Sequence, residues 1–208
     1  ERFDEDPLRK LRALRFAGTI GGKMHTDTFN ALKENPDLSG VAAERIRDEF
    51  IKGIKKAKST KQYLTLCKDT KILPFILPNL NLNLKFIDNN DATIQLATLL
   101  LKNNYNTVEN RLKGLSYTNQ EIKDVSFLLK LNKFNPSDIY IMKKEQENTS
   151  LTKSQIDDWK SITGNSEVMD VWNFKLSVTS KEVIDMGFKG KEIGDKMKEL
   201  ETNKYLGK

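Results

Sequence analysis

Asp6, Arg9, Arg12 and Arg15 recur at every third residue. On a helix that spacing brings each side chain back by ~60° and up by ~4.5 Å. Asp6 and Arg9 then lie side by side on one turn, and Arg12 and Arg15 extend the ridge to ~13.5 Å. A carboxylate accepts from an exocyclic amino group, while a guanidinium donates to ring nitrogens and carbonyls. An Asp–Arg pair therefore offers an acceptor beside donors, as the edge of a base does, and further arginines can hold a phosphate chain. The same spacing also fits an amphipathic helix whose Asp–Arg pair contributes only ~0.2–0.5 kcal/mol. Spacing alone leaves both readings open.

The element that must present this ridge is a helix from about Pro7 to Gly18. Asp6 is suited to the N-cap and Pro7 to the first helical position. Leu8, Leu11, Leu14 and Ala17, with Phe16 beside them, form the apolar side, and Gly21-Gly22 ends the element. Helical periodicity then dominates the chain. Helices are expected from Thr26 or Asp27 to Glu34, from Ala42 to Lys56, after Ser59 as a cap, and over 92–102 and 107–113. Thr118 with Glu121 and Thr152 with Gln155 spell capping boxes, Asn135-Pro136-Ser137 opens another helix, Thr179 or Ser180 caps the next, and Lys191 to Tyr205 forms the last. Residues 79–87 read Asn-Leu-Asn-Leu-Asn-Leu-Lys-Phe-Ile, an alternation of period two that is a strand signal when taken alone. With no partner strand in prospect, they are expected to be extended only. The expected fold class is all-α, an elongated array of helices joined by short turns.

Composition narrows the function class. The net charge is +6, and charged residues make up 31% of the 208-residue chain with the two signs mixed. That pattern reads as solvated helix faces with a mild preference for polyanionic partners. Six of the seven arginines (Arg2, Arg9, Arg12, Arg15, Arg45 and Arg47) lie in the first 50 residues, and only Arg111 follows. A chain that otherwise uses Lys places Arg where a planar, forked donor is useful. The single cysteine, Cys67, excludes an internal disulfide and fits a reducing, cytoplasmic setting as a buried thiol. The lone His25 has no Cys or His nearby and is expected at a helix start or on the surface, without zinc. No apolar run reaches ~18 residues, so no membrane span is expected.

Glu5-Asp6-Pro7-Leu8-Arg9, followed by Leu11-Arg12-Ala13-Leu14-Arg15-Phe16, resembles the Glu-Asp-x-x-Arg nucleotide-recognition motif of the class II tRNA nucleotidyltransferases. That class comprises the CCA-adding enzymes and the bacterial-type poly(A) polymerases. Glu44-Arg45-Ile46-Arg47-Asp48-Glu49 resembles the family's next motif, Glu-Arg-Ile-x-x-Glu, at a family-like distance. The run from Lys181 to Gly194 is similar, less specifically, to the tail of bacterial members.

The resemblance implies a neck at 1–60, a helical body at 61–135 and a tRNA-binding tail at 136–208. Asp6 and Arg9 would read the Watson–Crick edge of incoming CTP or ATP, and Arg12 and Arg15 would contact the same nucleotide. Glu44 and Arg45, with Glu5 and Glu49 of the same motifs, would serve the neck structurally. Lys189, Lys191, Lys196 and Lys198 are candidates for the RNA contact, because duplex RNA is read mainly by shape, phosphates and 2′-hydroxyls. A solvated helix face explains these lysines equally well.

The family's head holds two metal ions, Mg2+ in the whole enzyme, on an Asp-x-Asp pair after a Gly-Ser turn. This chain shows no such sequence, and no catalytic residue or metal ligand is assigned to it. Asp88 with Asp91 falls in an Asn-rich turn and Asp157-Asp158 on a helix, both poor metal candidates. A start at Glu1, directly before a motif, is expected of a fragment whose catalytic head lies upstream. The expected function is nucleotide and tRNA recognition for CCA addition. The alternatives are a poly(A) polymerase, a non-catalytic helical RNA-binding module, and a purely structural helical array.

Overall fold

The computed structural model describes residues 2–208; Glu1, at which the fragment expectation rests, lies outside them. Every regular element among them is helical. The order is α1 (Arg2–Glu5), α2 (Leu8–Ile20), α3 (Thr26–Glu34), α4 (Ala43–Lys56), α5 (Thr60–Asp69), α6 (Leu73–Ile76), α7 (Ala92–Leu100), α8 (Tyr105–Gly114) and α9 (Asn119–Asn132). A 3-10 turn (Pro136–Asp138) leads into α10 (Ile139–Gln146), α11 (Lys153–Thr163), α12 (Glu167–Asn173), α13 (Ser180–Asp185) and α14 (Lys191–Tyr205). The chain forms two compact units, one running to Ser126 and one from Phe127 to Lys208.

In the first unit α2 packs chiefly on α4, and both meet α5. Leu8, Leu11 and Leu14 of α2 are buried as the three-residue spacing requires, against a core that includes Phe50, Ile54, Tyr63 and Leu64. Phe16 departs from that expectation. It is 47% exposed, and the Arg15 guanidinium lies 4.3 Å from its ring centre. Cys67 is fully buried, and burial pushes its thiol up to about 12, so it is inert as a nucleophile at neutral pH.

Gly53 decides how closely α4 and α5 approach. A methyl group at that position would overlap the ring and hydroxyl of the buried Tyr63. The small residue is therefore fixed by packing rather than by a turn.

Side-chain caps start half of the α-helices among the described residues. Ser59 accepts from the Gln62 amide, His25 from Asp27 at 3.3 Å and Asn104 from Asn106. Thr118 and Glu121 bond each other's backbone amides, as do Thr152 with Gln155 and Thr179 with Glu182. Each cap satisfies amides that would otherwise lack partners at a helix start. Asp88 and Asp91 are also consumed in this way. Asp88 accepts from the Ser59 hydroxyl at 2.7 Å and the Lys61 amide at 3.0 Å, and Asp91 caps α7 through Ile94. Residues 80–91 form no regular element, in line with an extended segment that finds no strand to pair with.

In the second unit α10 packs on α12 and α14, and α13 packs on α14. Trp159, Ile139, Ile156, Val168 and Val171 are fully buried. Tyr205 stands edge-on to Phe134 and Phe174, with centroids 5.7 and 5.2 Å away. Lys143 donates to the carbonyls of Val171 and Trp172, at 3.2 and 2.7 Å, near the C-terminal end of α12. A cation is favoured there because the last carbonyls of a helix have no partner within it. Glu201 is fully buried, and its Oε1 accepts from the amides of Ser177 and Val178, each at 2.6 Å.

Two tests follow from this packing. Gly53→Ala should lower the stability of the chain by roughly 1–3 kcal/mol or more in a urea titration, since overpacking forces either the Tyr63 ring or α4 to shift. Burial lowers Lys143 to about 8, partly offset by the Glu147 charge. The folded state thus releases that proton before the unfolded state does, and stability should rise with pH from about 8 toward the ordinary lysine value of 10.5. A Lys143→Met variant should lose this component of the slope in melts across that range, and an unchanged slope would refute the assignment.

Candidate nucleotide- and RNA-binding site

The ridge identified from spacing lies in the first unit, where α1 gives way to α2. Pro7, with helical backbone angles, precedes Leu8, and Asp6 turns its Oδ1 back to the Leu8 amide at 3.1 Å. The Asp6 carbonyl accepts from the Arg9 amide at 3.0 Å. Asp6 and Arg9 therefore share a single turn, as the three-residue spacing requires. Asp6 is half-buried, and Arg9 and Arg12 are exposed. Arg9 Nη1 also lies 3.4 Å from Glu5 Oε2, on side chains 46% and 68% exposed. Pairs of that kind contribute little and exchange readily with solvent or ligand.

Arg15 has a different environment. Its Nε donates to Glu49 Oε2 at 2.7 Å, and the two side chains are only 13% and 12% exposed. Lys52 approaches the other Glu49 oxygen at 3.8 Å. This bond runs from the third ridge arginine on α2 to the centre of α4, so it fixes the rotation of the ridge helix against its neighbour.

Glu44 and Arg45 stand exposed on the first turn of α4, with Glu44 among the carboxylates facing Arg47. Arg47 bonds Asp48 Oδ1 through Nε and Nη2, at 3.1 and 2.6 Å, and reaches the Ser116 carbonyl.

Lys10 was not singled out from the sequence. It is 1% exposed, and its Nζ donates to the Asp37 carbonyl at 2.7 Å. Desolvation holds its pKa below the ordinary lysine value, against the opposing pull of Asp4 and Asp37. This bond ties the loop after α3 beneath the ridge helix. Only its place between Leu8 and Leu11 could have hinted at burial, and a long aliphatic stem makes such a position ambiguous.

In the second unit, Lys189 and Lys191 are exposed, and Lys196 and Lys198 are half-buried. Lys196 pairs with Glu199 at 2.8 Å and lies 5.5 Å from the Phe188 ring centre. The four lysines therefore differ in how much charge each presents to solvent. Among the described residues no group of three or more His, Cys, Asp and Glu side chains is placed to hold a metal ion. No helix is long and apolar enough to cross a membrane.

Residues 22–84 match the family described as "Probable RNA and SrmB- binding site of polymerase A". Over 223 aligned residues the chain is 28% identical to a CCA-adding enzyme of Pediococcus pentosaceus, covering 96% of this chain and 56% of that protein. The chain belongs to the CCA-adding enzyme and poly(A) polymerase family. A CCA-adding enzyme of Staphylococcus aureus is 30% identical over 151 residues, covering 70% of this chain and 36% of its own length. One of Ligilactobacillus salivarius is 42% identical over 76 residues, covering 36% and 19%. The chain thus spans between 19% and 56% of the length of these CCA-adding relatives. A solved structure described as "tRNA-processing enzyme (apo form I)" shares the fold at a TM-score of 0.54 and 22% identity, covering 97% of this chain and 59% of that one.

The ion pair between α2 and α4 yields a stability test. Arg15→Met should cost roughly 2–4 kcal/mol, because it leaves a largely buried carboxylate with only Lys52 near it. In a double-mutant cycle with Glu49→Met, the double variant should lose clearly less than the sum of the two single losses. Additive losses in urea titrations would show that the two side chains do not act as a pair.

Proposed function

We propose that this chain is the nucleotide- and RNA-recognition portion of a tRNA nucleotidyltransferase that adds CCA to tRNA 3′ ends from CTP and ATP. The observation that carries the proposal is the ridge turn. Asp6, just before α2, and Arg9, on its first turn, are joined by a backbone bond, and the same helix is tied to its neighbours by part-buried bonds from Lys10 and Arg15. A base edge needs an acceptor and donors held at fixed separation, and binding energy is lost when the groups must first be ordered. In this reading Asp6 and Arg9 meet the Watson–Crick edge, Arg12 reaches the same nucleotide, and Arg15 chiefly sets the rotation of the helix. Glu5 would give up its exposed pairing with Arg9 when the base arrives.

The second unit would contact the tRNA, with Lys189 and Lys191 the freest cations for backbone phosphates and Lys196 and Lys198 beside them. The Mg2+ of the reaction would be held by residues other than those described. The setting would be the cytoplasm, where tRNA is matured. The relatives named as CCA-adding enzymes favour this substrate over poly(A) tailing, whereas the ridge itself suits both.

In the full-length enzyme, Asp6→Ala and Arg9→Ala should blur the choice between CTP and ATP while leaving thermal stability nearly unchanged. The measurement is the sequence of the nucleotides added to a tRNA that lacks its 3′ end. Normal fidelity in both variants would remove the templating role.

A further inference from the structure

A groove of about 380 Å3 lies where the end of α5, the short α6 and the segment 79–84 come together. Leu73 and Leu77 form its buried floor, while Leu80, Leu82 and Leu84 line it from the extended segment. The segment is tied to the body of the first unit at Asn81 and Asn83, of which Asn83 is buried and Asn81 is exposed and lines the groove. The Asn81 amide donates to Asn103 Oδ1, and Asn103 Nδ2 donates back to the Asn81 carbonyl, both at 2.9 Å. The Asn83 amide reaches the Leu99 carbonyl at 2.7 Å, and its side-chain nitrogen reaches the Thr98 carbonyl at 3.2 Å. Leu80 and Leu82 lie half-buried along the groove, and Leu84 is 51% exposed.

The backbone repeats this division. In an extended chain, successive residues direct their amide and carbonyl groups to opposite edges. Asn81 and Asn83 use theirs on α7 and the residues just after it. Leu80, Leu82 and Leu84 make no backbone hydrogen bond to any described residue. One edge of a short extended segment is thus anchored and the other is unpaired, beside an apolar trough. That is what an added peptide strand requires: backbone groups for affinity and pockets for alternate side chains. The polar lining includes Lys68 and Lys71 and no carboxylate. Lys68 forms an exposed pair with Asp69 at 3.3 Å.

From this arrangement we infer that the groove docks an extended acidic peptide of a protein partner. Its apolar side chains would alternate along Leu80, Leu82 and Leu84, and its carboxylates would face Lys68 and Lys71. An RNA strand is a poorer match, since bases bind by stacking on aromatic rings or guanidinium planes, and neither lines the groove.

The test is a selection of random displayed peptides, about 12 residues long so as to exceed the extended segment, on the chain and on two variants. Peptides that alternate apolar residues with Asp or Glu should be enriched. Leu84→Glu should weaken the winning peptide at least about tenfold by fluorescence anisotropy, with the helical circular dichroism unchanged. Lys71→Glu should turn the selection away from acidic peptides, which gives a second readout should Leu84→Glu disturb the fold. Failure to enrich any peptide, enrichment of basic peptides, or indifference to both variants would overturn the inference. So would displacement of the peptide by single-stranded oligouridylate in the parent chain, which would assign the groove to RNA. A concentration-dependent dimer abolished by Leu84→Glu in sedimentation would likewise give the groove to a second copy.

Discussion

The bond between Arg15 and Glu49 sets the geometry on which the rest of the ridge depends. Its two side chains come from helices 34 residues apart, and both are nearly withdrawn from water. A charge pair in such a place is favourable only when its geometry is good, because each partner has given up hydration. The pair therefore accepts few rotations of α2 relative to α4. The leucines of α2 hold that helix down without choosing among small rotations, since apolar burial has little directionality. The Lys10 bond to the Asp37 carbonyl adds a second directional contact from the same helix. Between them, the two bonds fix where Asp6, Arg9 and Arg12 face.

This separates the arginines of one motif into two kinds. Arg9 and Arg12 remain in solvent, where a flexible guanidinium can adapt to a ligand. Arg15, at the same three-residue step, is spent on the scaffold. A planar fork serves both ends well, because it can grip a carboxylate inside the protein as firmly as a base or phosphate outside it. The repeated residue type thus hides a change of task along the helix.

The sequence shows the helix starts most plainly. Thr118 with Glu121 and Thr152 with Gln155 are local patterns, and each closes in the structure through side chains three residues apart; of Thr179 and Ser180, Thr179 is the cap. The last helix, Lys191–Tyr205, has the expected bounds. Three short helices were not legible. Arg2–Glu5, Leu73–Ile76 and Glu167–Asn173 are too short to show a period and are held by packing rather than by propensity. Phe16 escaped for a related reason. An aromatic residue next to a leucine stripe looks buried until a neighbouring guanidinium covers its face. The pairings at the site were not legible either. That Arg15 finds Glu49, or Lys10 the Asp37 carbonyl, depends on how distant segments pack, and residue spacing carries no record of that. The Asn–Leu alternation of 79–84 did announce an extended segment, but not that Asn83 would be buried while Leu84 stays exposed.

Glu201 has a consequence for the order of events during folding. The connection between α12 and α13 has two amides, at Ser177 and Val178, that bond one carboxylate oxygen more than twenty residues further along, while the other oxygen of that carboxylate is buried without a partner. Until α14 has been synthesised and docked, those amides can bond only to water, and the turn they belong to has no fixed course. The C-terminal helix thus acts as a clasp for a loop made earlier, and the second unit should reach its final form late rather than segment by segment as it leaves the ribosome.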